Sequence, residues 1–170
     1  IQNGAPYDVF ISANVMYPRR LIESGHAVAG SYASYAVGRL ALLAPAGSPL
    51  NLDEQGSGAL TAPSVRRIAI ANPAHAPYGV AAVAALRHFG IYDQVKSKLV
   101  LGENVSQAAQ FVVSGNAQIA LTALSVAQAQ GGRFALVPSE VHPKIEQAAV
   151  VLRRTRQMAA PRAFVEFLST

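Results

Sequence analysis

From residue 68 onward the chain repeats one pattern, and that pattern limits the fold more than any other feature. Ile68-Ala69-Ile70-Ala71 is an apolar strand, and it leads into a helical periodicity over 79–89 that Gly90 closes. A strand at 98–101 precedes a helix at 105–114 ended by Gly115. A strand at 118–123 then precedes a short helix at 125–130 ended by Gly131-Gly132, and Phe134 to Pro138 is one more strand. Strands that alternate with helices of this length specify βαβ units, hence an α/β fold with a parallel sheet and helices on its faces.

The flanking segments are less regular. Ala5 to Ala13 carries an apolar run that suits a buried parallel strand. A short helix follows, with Pro18 near its first turn, Leu21 and Ile22 facing inward and Gly25 as terminator. Ser31-Tyr32-Ala33-Ser34-Tyr35 reads as a polar link, and Arg39 to Ala44 as a strand stopped by Pro45. Residues 45–64 hold Pro45, Gly47, Pro49, Gly56, Gly58 and Pro63, so a loop with at most one weak helical turn is expected. Ala148 to Leu152 forms a last strand. The helix after it starts near Ala160, with Pro161 in its first turn and Phe164, Phe167 and Leu168 on one face.

At 170 residues and 51% apolar, the chain can bury a core as one domain or as two small lobes. It has no cysteine, which removes disulfides and thiolate chemistry. The net charge of +5 is modest. Arg153, Arg154, Arg156 and Arg162 read as a solvated face rather than a nucleic-acid surface, since no aromatic-interleaved basic stripe exists. No apolar run has membrane-spanning length. Ile1 to Gly4 lacks a cap or starter strand and Leu168-Ser169-Thr170 stops inside a helical pattern, so both ends read as cut.

Enzyme signatures are missing: there is no nucleophile elbow, P-loop, dinucleotide fingerprint or zinc-protease motif. His26, His75, His88 and His142 are scattered without ligand spacing, so no metal-ion ligand and no catalytic residue is assigned, and each reads as a surface or core histidine.

Two turns carry the remaining signal. Asn72-Pro73-Ala74-His75-Ala76-Pro77-Tyr78-Gly79 joins a strand to a helix, and so does Gly102-Glu103-Asn104-Val105, where Asn104 suits an N-cap. Each helix start turns unpaired N–H groups and the positive end of a dipole outward. No Lys or Arg lies within 68–86 or 99–118, so an anion held there meets only neutral donors. Such a shell favours a fully deprotonated oxyanion. Phosphate keeps a proton near neutral pH and would set its O–H against a donor.

The stretches Gly4 to Ala13, Tyr35 to Leu40, 68–79, Gly102 to Val105 and Val137 to Leu152 resemble, in matching order, the periplasmic molybdate-binding proteins of ABC importers. The Ile-Ala-Asn-Pro-x-His-x-Pro-x-Gly turn with Gly-Glu-Asn-Val downstream is the most specific part. The resemblance implies a two-lobed, type II periplasmic-binding-protein-like fold with parallel and mixed sheets. Lobe one would comprise 1–37 and 138–170 and be incomplete, and lobe two 38–137. The implied oxyanion contacts fall on Tyr78 and Val105, with a third family position at Ala123, where some members carry a tyrosine. Implied too are molybdate, and also tungstate, as ligand, no cofactor, and the membrane subunits of an ABC importer as partner in an extracytoplasmic setting. Family members begin with a further strand, helix and strand whose Ser/Thr-rich turns supply the other half of the oxyanion shell. Their absence predicts weak binding by this exact chain and an open sheet edge that a second copy could cover. The competing expectation is an oxyanion-sensing effector domain of a transcriptional regulator, which uses the same fold.

Overall fold

A computed structural model describes residue 1 and residues 4–169. In chain order the elements are β1 (Val9–Ser12), α1 (Met16–Glu23), β2 (Ala33–Gly38), β3 (Leu40–Ala44) and α2 (Leu52–Gln55), the last continued by a 3-10 segment, Gly56–Thr61. Then come β4 (Ile68–Ala71), α3 (Pro77–His88), α4 (Tyr92–Val95), β5 (Leu99–Gly102), α5 (Val105–Val113) and β6 (Ile119–Ala123). The chain ends with α6 (Leu124–Ala129), β7 (Arg133–Leu136), β8 (Ile145–Val151) and α7 (Ala159–Leu168). Two compact units result: residues 1–38 with 145–170, and residues 39–144. The second crossing thus lies seven residues beyond the expected 137/138 boundary. Val137 N–H donates to the Leu40 carbonyl and Val141 is buried, which keeps the intervening segment with the second unit.

The first unit is a three-stranded sheet in the order β1-β8-β2, antiparallel throughout, with Val9 opposite Val151 and Ala33 opposite Ala149. Residues 148–152 are all buried because helices cover both faces of β8. Val150 and Leu152 meet Leu21 of α1, and Ala149 and Val151 meet Val165 of α7. Three expectations are corrected here. β1 is an antiparallel edge strand, with Ile11 at 44% exposure, rather than a buried parallel one. The supposed link 31–35 runs into β2, because Ala33 and Tyr35 pack on the β8 face while Ser34 points out to Glu146. On α7 the inward residues are Pro161, Val165 and, as expected, Leu168, whereas Phe164 and Phe167 are exposed.

The second unit is a five-stranded sheet in the order β5-β4-β6-β3-β7. β4 runs parallel to β5 and β6, as the βαβ alternation requires, and β3 runs antiparallel to β6 and β7, which makes the sheet mixed. β3, β4 and β6 are buried along their whole length, so they read as continuous apolar runs. Ala41, Leu43, Ala69 and Ala120 form one face under Ala108, Ala109 and Val112 of α5. Segment 45–64 holds two helical pieces instead of one weak turn, tied down by Leu50, Leu52, Ala59 and Leu60, all buried.

Candidate functional site

β5, β4 and β6 are neighbours and point the same way, so their carboxyl ends lie side by side at one edge of the sheet. Tyr78 follows β4, Val105 follows β5 and Ala123 ends β6. The topology therefore brings all three residues singled out in the sequence to the edge where α/β sheets bind ligands.

After β4 the chain makes a tight turn. Asn72 Oδ1 accepts from the Ala74 N–H at 3.0 Å, and the Asn72 carbonyl accepts from the N–H groups of His75 and Ala76 at 3.3 and 2.9 Å. Pro77 opens α3 and has no N–H of its own, so the first N–H of the helix belongs to Tyr78, whose side chain is only 8% exposed. Gly79 follows because nothing larger fits: a Cβ there would lie 2.1 Å from the Ala71 carbonyl oxygen and 2.8 Å from the Pro73 nitrogen. This contact seats the first turn of α3 on the end of β4.

The turn after β5 is capped reciprocally. Asn104, extended at φ −155° and ψ 177°, accepts from the Gln107 N–H at 2.9 Å, as its N-cap assignment requires. Gln107 Oε1 in return accepts from the Glu103 N–H at 2.6 Å. The N–H groups of Val105 and Ser106 meet no acceptor among the described residues and project from the helix start. From behind, Thr122 Oγ1 donates to the Val105 carbonyl at 2.9 Å. Thr122 is fully buried.

Ala123 is 4% exposed and stands at the N-cap of α6, a helix of 6 residues whose first N–H, that of Leu124, donates to the Arg39 carbonyl. It contributes shape at the edge, and with no side chain beyond Cβ it brings no hydroxyl.

Thr122 and Gln107 lie outside the residues that the sequence alone marks at this site. For Gln107 a signal existed, since Asn-x-x-Gln at a helix start is a capping-box spacing. For Thr122 there was none. Replacing it with valine removes the hydroxyl at constant shape. Urea unfolding of Thr122→Val should show a loss of about 1–2 kcal/mol, the usual cost of a buried hydrogen bond.

The arrangement can hold an anion through N–H groups and two helix dipoles, from segments 68–86 and 99–118 that carry no Lys or Arg. Among the described residues no cluster of His, Asp or Glu could hold a metal ion, and no helix is long and apolar enough to cross a membrane.

Comparison with known proteins shows the family. Over residues 1–170 the chain matches the family model described as bacterial extracellular solute-binding protein. It is 39% identical to the molybdate-binding protein ModA of Rhodobacter capsulatus over 100% of this chain and 66% of that protein. To ModA of Azotobacter vinelandii it is 41% identical, over 99% of this chain and 67% of that protein. The chain thus spans about two-thirds of the length of these relatives. The solved periplasmic molybdate-binding protein of Azotobacter vinelandii superposes with a TM-score of 0.87 at 34% identity, covering 99% of this chain and 74% of that one. With the family model matched end to end and relatives of this similarity, the chain belongs to the bacterial extracellular solute-binding proteins.

Proposed function

We propose that this chain is the ligand-binding part of an extracytoplasmic protein that captures molybdate, and also tungstate, and delivers it to the membrane subunits of an ABC importer. The observation that carries the reading is the pair of helix starts at Tyr78 and Val105, side by side on one sheet edge, in segments without a single Lys or Arg. Tyr78 and Val105 give N–H donors to the oxyanion, and Ala123 closes the floor beside them. The similarity to molybdate-binding relatives supports the choice of ligand, and the family, being one of extracellular solute-binding proteins, favours transport over an intracellular sensor.

Donors alone reward a dianion and penalise an O–H. Calorimetry on the complete gene product should therefore give micromolar or tighter binding of molybdate and tungstate, weaker binding of sulfate, and none of phosphate. Phosphate binding as tight as molybdate, or no heat with any of the four, would sink the proposal.

A further inference from the structure

We propose that His75 is a positioning residue of this site: its imidazole spans the two ligand turns and fixes the spacing between the donors at the starts of α3 and α5. The proposal rests on the oxyanion reading above. His75 Nε2 lies 3.2 Å from the Glu103 carbonyl oxygen and 3.4 Å from Glu103 Oε2. The Asn72 N–H also donates across the two turns, to the Gly102 carbonyl at 2.7 Å, one residue before Glu103. A second bond, from the His75 imidazole to the Glu103 carbonyl one residue further along, adds a side-chain tie at the step that leads to Val105.

Both ends of the second bond are held firmly. The imidazole is carried by the turn that the Asn72 side chain and carbonyl close with three hydrogen bonds. The Glu103 N–H is gripped by Gln107 Oε1, so His75 takes hold of a residue whose other backbone polar group is already fixed. Glu103 then leads directly to Asn104 and the Val105 N–H.

Of the two contacts to Glu103, the carbonyl is the one that matters. The side chains of His75 and Glu103 are 48% and 75% exposed, and ion pairs so open to water contribute little. A bond from Nε2–H to a main-chain oxygen instead acts on the backbone that bears the donor.

This makes the role separable from charge. A glutamine amide nitrogen reaches the position of Nε2, whereas an asparagine amide reaches only that of Nδ1. In the complete gene product, His75→Asn should weaken molybdate binding by about tenfold, the effect of losing one hydrogen bond. His75→Gln should stay within about threefold of wild type by keeping that bond, and Glu103→Gln within about twofold, as an exposed pair permits. In the ligand-free protein, amide hydrogen exchange at 103–106 should accelerate in His75→Asn and remain near wild type in His75→Gln. Equal loss in the Gln and Asn variants, no loss in Asn, or Glu103→Gln matching His75→Asn would overturn the proposal. If wild type bound no oxyanion, the functional reading would fall, while the exchange comparison would still decide whether His75 braces the two turns.

Discussion

Val105→Pro should cost the protein roughly ten- to hundredfold in molybdate affinity while leaving its fold intact, the loss expected for one hydrogen bond to a charged acceptor. Proline removes one atom from the site, the amide hydrogen, at the helix position where its ring is best tolerated. The residue before a proline must be extended, and Asn104 already is, at φ −155° and ψ 177°. The cap from Asn104 to the Gln107 N–H does not involve Val105 and should survive. Val105→Ala, which keeps the N–H and trims the side chain, is the control. Titration calorimetry reads the affinity and thermal unfolding the fold. If the proline variant binds like wild type, Val105 is not a donor to the anion.

Gly79→Ala should be the most damaging single-methyl addition at the site. The added carbon would lie 2.1 Å from the Ala71 oxygen and 2.8 Å from both the Ala71 carbon and the Pro73 nitrogen. All three are backbone atoms, so no side-chain rotation relieves the clash. Either the end of β4 or the first turn of α3 has to move, at a cost of about 3 kcal/mol, the upper part of the range for overpacking. For a chain of this size that is a fall in Tm of roughly 6–12 °C. Because α3 carries the Tyr78 N–H, a displaced helix start should weaken oxyanion binding in the fraction that stays folded. Scanning calorimetry with and without molybdate separates the effects, and a Tm within a degree or two of wild type would refute the packing argument.

What could be read from sequence followed how locally each feature is encoded. α5 was legible because its apolar periodicity, the Asn104 cap and Gly115, with its φ of 74°, all lie within a dozen residues of one another, and β4 because its four residues are one apolar run. The direction of β1 was not, since its partner β8 lies at the other end of the chain and no local pattern announces an antiparallel neighbour. β2 hid for the same reason: Ser31 to Tyr35 looks polar until Ala33 and Tyr35 find β8. At the site, Tyr78 and Val105 stood out through their turns and through a family resemblance. His75 read as an ordinary surface histidine, because its role depends on β4 lying next to β5, which is a property of sheet order. Thr122 is indistinguishable in sequence from any threonine near a strand end; only the register that sets it behind Val105 gives its hydroxyl a purpose.

The central place of β8 in the first unit has a consequence for how the molecule is made. Among the described residues β1 and β2 do not pair with each other, and each pairs with β8, which leaves the ribosome more than a hundred residues after them. The second unit is one continuous segment and lies wholly upstream of β8. During synthesis, then, the sheet that bears Tyr78, Val105 and Ala123 can form while β1 and β2 still wait as unpaired strands. Pairings of such long sequence separation form slowly, and unpaired strands invite aggregation. A nascent chain stalled before residue 145 would hold the whole second unit while β1 and β2 still lacked β8.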